Sequence, residues 1–125
     1  VVTRLLLDSH VYLWWLTDTP MSAHATQAIR DADEIFVSVA TAWELAIKVG
    51  VGKLRMERPI AEVLADNGFV ELPILLHHVE ALASLPNHHR DPFDRLLAAQ
   101  ALAEGLTLVT RDPQLARYPV SVLRA

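Results

Sequence analysis

The sequence contains no cysteine in its 125 residues. That excludes a disulfide framework, a thiolate zinc site and a thiol nucleophile, and it agrees with a reducing cytoplasm. Glycine is nearly as scarce, with four residues. The one close pair, Gly50-Val-Gly52-Lys53, does not make a phosphate-binding loop: position 55 is Arg55 instead of a third glycine, Leu54 stands where such a loop has Ser or Thr, and the segment follows a helix. A basic excess is also missing. Eleven Lys and Arg face 15 Asp and Glu, a formal net charge of −4, the reverse of what a simple DNA-binding module carries. Long apolar runs are absent too. The longest, residues 5–16, is broken by Asp8 and His10. A membrane span needs about 20 apolar residues and a signal peptide needs a basic start and a small-residue cleavage site, so neither is expected.

What is present is a globular composition, 52% hydrophobic and 21% charged, too apolar for a disordered chain and of a length that predicts one domain over residues 1–125. Residues 4–8 read as a buried strand ending in a carboxylate. Ser9 is placed to cap a helix over residues 10–16, which Asp18, Thr19 and Pro20 end. Further helices are expected over 22–30, 40–49, 59–67, 76–85 and 92–104. Strands are expected over 35–38, 69–72 and 106–110, with a last edge strand over 120–123. The helix at 92–104 is apolar almost all round and belongs in the core. Short strands alternating with helices predict an α/β sandwich around a mostly parallel sheet.

In such sheets sites form beyond the carboxyl ends of the strands. Asp8 ends the first strand, Asp112 follows the strand at 106–110, Glu44 sits on the helix entered from Ser38, and Asp94 lies in the first turn of the core helix. Each also has an ordinary structural explanation. Asp94 can support the helix start, Asp112-Pro113 can be a cap followed by proline, and Glu44 can pair with Lys48 four residues on. Asp91-Pro92 is read as a cap. Taken together, four carboxylates at one sheet edge repel one another and raise their pKa values unless a cation lies between them. Oxygen-only donors suit Mg²⁺ or Mn²⁺, and such ions support phosphodiester hydrolysis.

The blocks Leu-Leu-Leu-Asp8-Ser-His, Val-Ser38 leading to Trp43-Glu44, Asp91-Pro-Phe-Asp94-Arg-Leu-Leu-Ala-Ala-Gln and Leu-Val-Thr-Arg-Asp112 occur in that order along nearly the whole chain. In this the sequence resembles the PIN-domain ribonucleases, and most of all the VapC-type toxins of toxin–antitoxin pairs. The resemblance implies a three-layer α/β/α sandwich and a Mg²⁺- or Mn²⁺-dependent endoribonuclease. It assigns the four acids to Asp8, Glu44, Asp94 and Asp112, with Asp8 and Asp94 holding one metal directly. Thr110 and Ser38 or Ser9 are candidate hydroxyls behind them. It also implies an RNA substrate, a cognate antitoxin whose tail covers the acidic site, and a homodimer. Two other readings are a PIN nuclease of RNA processing without an antitoxin and a degenerate PIN domain used for binding. A haloacid-dehalogenase-type phosphatase is disfavoured because position 10 is His10 where a second Asp is wanted.

Lys48, Lys53, Arg55 and Arg58 against one acid, Glu57, form the most basic stretch and are candidate phosphate contacts. Arg90, Arg95 and Arg111 each neighbour a proposed acid and join them as candidates. Among the six histidines His10 is the one singled out, and the pairs His77-His78 and His88-His89 are read as surface or capping residues. Trp14 and Trp15 cannot both face one core, so one is expected against a partner. The four acids account for the whole of the net charge, so with cations bound the remaining surface is balanced and the overall sign no longer excludes RNA.

Overall fold

A computed structural model describes residues 2–87 and 89–125. The elements, in order, are β1 (Arg4–Leu7), α1 (Ser9–Leu16), α2 (Ala23–Asp31), β2 (Glu34–Ser38), α3 (Val39–Gly50) and α4 (Ile60–Asp66). They continue with β3 (Val70–Leu72), α5 (Leu76–Ser84), α6 (Pro92–Glu104), β4 (Thr107–Thr110), a 3-10 turn at Leu115–Arg117 and β5 (Val122–Arg124). The expected alternation is present. The five strands form one sheet in the order β3-β2-β1-β4-β5, every pair parallel. Leu6 of the central strand lies beside Phe36 on one side and Leu108 on the other.

Alternation of side chains along each strand divides the core into two layers. Leu5, Leu7, Val37 and Val109 pack with Val11 and Tyr12 of α1, Ala25 and Ile29 of α2 and Leu64 of α4. Leu6, Phe36 and Leu108 point the other way, against Leu96 and Leu97 of α6 together with Leu115 and Tyr118. Strands buried on both faces explain why β1 reads as a continuous run of leucines instead of an alternating one. The result is the three-layer α/β/α sandwich expected from the sequence.

Helix α6 runs through the interior, as its apolar circumference predicts: Leu96 to Ala101 are all buried. Its one polar residue there, Gln100, is satisfied by Ser38 Oγ, which donates at 2.5 Å, and by the Pro73 carbonyl at 3.2 Å. Gly105 ends the helix at φ +66°, a left-handed conformation that glycine takes without a Cβ penalty.

One capping expectation is corrected. Asp8, and not Ser9, caps α1: its Oδ1 accepts from Val11 N–H at 2.8 Å, and Ser9 is already helical. The Ser9 hydroxyl is thereby free for another partner. The last strand also starts two residues later than expected, and Thr110 lies in register with Arg124.

The chain leaves β1 toward β2 and β3 on one side and returns to β4 and β5 on the other. The order therefore reverses between β1 and β4. A crevice opens at such a switch point, beyond the carboxyl ends of the two strands, and Asp8 and Thr110 stand at those ends.

Candidate active site

Asp8 is 4% exposed, and both of its oxygens are held. Oδ1 takes the Val11 amide, and Oδ2 accepts from the Thr110 hydroxyl at 2.5 Å, across the β1–β4 seam. Burial pushes its pKa above the usual carboxylate value and the nearby charge of Asp112 adds to this, while the Thr110 and Val11 hydrogen bonds pull it back in part. Thr110 serves two acids, because its Oγ1 also accepts from the Asp112 N–H at 3.0 Å.

Glu44 reaches the crevice from α3. Its Oε1 accepts from Ser9 Oγ at 2.6 Å, so the hydroxyl released from capping ties α3 to the start of α1. The expected i, i+4 pair with Lys48 exists, but at 3.8 Å it is looser than the Ser9 bond. Ser38, the other candidate hydroxyl, turns away from the acids to Gln100 and to the Ala40 N–H.

Asp94 comes from the first turn of α6. Its pKa is pushed up to about 7, first by burial and then by the charge of Asp91, with His89 opposing and Asp8 and Glu44 adding further repulsion. Electrostatically, then, three of the four predicted acids act on one another here. Asp112 joins them through His89, whose Nε2 lies 2.8 Å from Asp112 Oδ2 and 3.2 Å from Asp94 Oδ2. Burial raises Asp112, but hydrogen bonds from His89 and the Gln114 N–H outweigh it and leave the group below its ordinary value. Asp91 caps α6 as expected, accepting from the Phe93 and Asp94 amides at 2.8 and 3.4 Å.

His89 is the residue the sequence reading missed. Its spacing does not link it to positions 94 and 112, so the sequence places it with the surface or capping histidines. Its partner in that pair, His88, lies outside the described residues. His10 stays near the site: it is exposed, packs against Trp14 with ring centroids 5.9 Å apart, and its charge lowers both Asp8 and Asp112. His77 and His78 both meet Glu104 Oε1, at 3.0 and 2.7 Å. His78 Nδ1 accepts from the Leu75 N–H at 3.0 Å, so Nε2 carries the proton and the trio pins α5 to α6 instead of offering a metal site.

The candidate cations divide. Lys48 and Lys53, with Arg90, border a cleft of about 500 Å³ whose wall includes Glu44, Ile47, Val51 and Phe93. Arg55 lies elsewhere, in a groove of about 970 Å³ with Trp14, Trp15, Met21 and Met56, and sits 3.9 Å from Glu57. Arg95 turns inward and donates to the Leu82 and Leu85 carbonyls at the end of α5, at 3.3 and 3.5 Å. Arg111 donates to the Ala125 and Pro20 carbonyls and stacks 4.3 Å from the Trp14 ring. These contacts use the two arginines to hold the fold together beside the acids, Arg95 half-buried and Arg111 still exposed. The tryptophan expectation is corrected as well. Trp14 and Trp15 are both partly buried against the core layer of Leu5, Leu7 and Val109, and the exposed aromatic is Trp43, at 56%.

An α/β/α sandwich with an Asp-Glu-Asp-Asp cluster at the β1–β4 switch point defines a class, and the chain belongs to the PIN domain family, whose sequence model matches residues 5–120. Within that class it is similar to the ribonuclease VapC22 of Mycobacterium tuberculosis, 35% identical over 97% of this chain and 99% of the relative. Among solved structures it is similar to DNA-bound VapBC from Salmonella typhimurium, with a TM-score of 0.73 and 18% identity over 98% of each chain. It is also similar to a toxin–antitoxin complex from Klebsiella pneumoniae, with a TM-score of 0.66 and 19% identity over 95% of each chain.

Proposed function

We propose that this chain is a divalent-metal-dependent endoribonuclease that acts as the toxin of a toxin–antitoxin pair. The observation that carries this reading is the convergence of Asp8, Glu44, Asp94 and Asp112 at one crevice, where Asp94 is pushed up to about 7. The site holds more negative charge than its own groups neutralise. Its acids and hydroxyls offer oxygen donors and no thiolate, a set that suits Mg²⁺ or Mn²⁺. Asp8 and Asp94 would hold the cation directly, with Glu44 and Asp112 completing the site. Bound there, it would supply a nucleophile at neutral pH and positive charge for the leaving oxygen of a phosphodiester. Thr110 and Ser9 keep Asp8 and Glu44 in place without offering charge of their own. Lys48, Lys53 and Arg90 border the neighbouring cleft and meet the substrate's phosphates. Similarity to ribonuclease VapC22 and to toxin–antitoxin structures supports the assignment.

A cognate antitoxin is the expected partner. The exposed apolar residues Trp43, Ile47 and Val51 along one side of α3 support a homodimer through that face. Among the described residues no helix is long and apolar enough to cross a membrane. An RNA substrate and a cysteine-free chain suit the cytoplasm, where we place the activity.

The test is cleavage of single-stranded RNA by purified protein with Mn²⁺, Mg²⁺ or EDTA. Activity should require the ion, and Asp8→Asn should lower it by more than the ~100-fold that loss of an outer-shell partner costs, with the fold intact by circular dichroism. Equal cleavage by Asp8→Asn and parent sinks the reading.

A further inference from the structure

We infer that His89 is a positioning residue that fixes how Asp94 and Asp112 present their oxygens to a cation, an inference that rests on the metal-dependent reading above. The two ring nitrogens have different partners. Nδ1 lies 3.0 Å from the backbone nitrogen of Asp91, which can only donate, so Nδ1 accepts and carries no proton. The ring's proton is then on Nε2, facing Asp112 Oδ2 at 2.8 Å and Asp94 Oδ2 at 3.2 Å. A protonated nitrogen has no lone pair for a metal. His89 is therefore not a ligand in this tautomer, although its Nε2 and the two carboxylates lie close enough to share an ion.

The ring's place is fixed from behind as well. The His89 backbone N–H donates at 2.9 Å to the hydroxyl of Tyr118, a buried residue of the α6 core layer. The same imidazole thus reads the position of the α6 cap through Asp91, and it sets the acid of α6 and the acid after β4 against each other. One oxygen of each carboxylate is committed to it. The other Asp112 oxygen accepts from the Gln114 N–H at 2.8 Å, which fixes the plane of that carboxylate. A shared N–H offsets part of the repulsion between the two acids and takes up no position on the cation. Histidines and carboxylates at metal sites are commonly oriented through such outer contacts.

Two substitutions separate this role from simple support of the loop. His89→Asn keeps a carbonyl oxygen near the place of Nδ1, able to accept from Asp91, but is too short to reach the acids. His89→Gln keeps an N–H donor at the reach of Nε2. Mn²⁺ binding to the full chain is measured by titration calorimetry without RNA, alongside the melting temperature of the EDTA-treated protein. His89→Asn should weaken Mn²⁺ binding about 10- to 100-fold, while the EDTA-treated variant still melts in one cooperative transition, somewhat below the parent because the two acids lose their shared N–H. His89→Gln should recover most of the parent affinity. Parent-like binding by His89→Asn overturns the proposal, as does an equal loss in both variants or tighter binding when the ring is removed. If the parent itself binds no Mn²⁺, the metal-dependent reading fails, and the positioning role fails with it.

Discussion

Replacing Asp94 by Asn should make the metal-free protein more stable while removing its activity. Asp94 moves from 3.8 in the free side chain to about 7 in the fold, chiefly through burial and then through Asp91. Each factor of ten in proton affinity is worth about 1.4 kcal/mol, so the ionised carboxylate costs the folded, metal-free protein up to about 4 kcal/mol. The side chain is only 18% exposed, and solvent screens little of this. The sign follows from proton binding. Between about pH 4 and pH 7 the folded state holds the Asp94 proton more tightly than the unfolded state, so stability falls as pH rises through that window. Asparagine has no proton to lose. The stability difference, Asp94→Asn minus parent, should be near zero at pH 3 and climb to a plateau by about pH 8. The assay is urea unfolding of EDTA-treated proteins across that range, with difference curves used so that the other acids cancel. Mn²⁺ should recover much of the lost stability in the parent and little in the variant. A pH-independent difference, or a variant less stable than the parent at pH 8, would refute the electrostatic argument.

Two further outcomes follow from the packing. Leu97, 1% exposed between α6 and the sheet, should cost about 2–5 kcal/mol when cut to Ala, read as a lower urea midpoint with the same slope. Ile47→Lys, on the exposed side of α3, should shift the protein to monomer in sedimentation velocity at micromolar concentration and make its melting temperature independent of protein concentration; an unchanged sedimentation coefficient removes α3 from the interface.

Much of the fold was legible because its signals are local. The leucine run of β1 and the Asp91-Pro92 start of α6 each name an element or a boundary by steric and capping rules that act over a few residues. The four acids were legible for a related reason. In a parallel α/β chain the residue after a strand lies at a known edge, so Asp8 and Asp112 fall together once their strands are recognised. The assignment of polar partners was not legible. Ser9 and Asp8 are adjacent and chemically equal candidates for one cap, and only the presence of Glu44 across the crevice shows which hydroxyl is used where. Arg95 and Arg111 sit next to acids in sequence, yet their side chains leave for carbonyls of α5 and of the chain's last residue. His89 lies 5 positions from Asp94 and 23 from Asp112, a spacing that follows no helical or strand period.

The sequence by itself determined the alternation of strands and helices, the hydrophobic layers and the positions of the four carboxylates. Those depend on periodicity and on short-range sterics, which one chain carries along its length. The tertiary structure decided which groups meet in the crevice: Thr110 on Asp8, Ser9 on Glu44, and His89 between Asp94 and Asp112. It also raised Asp94 toward neutral pH, because burial and the summed repulsion of distant acids exist only when the chain has brought them together.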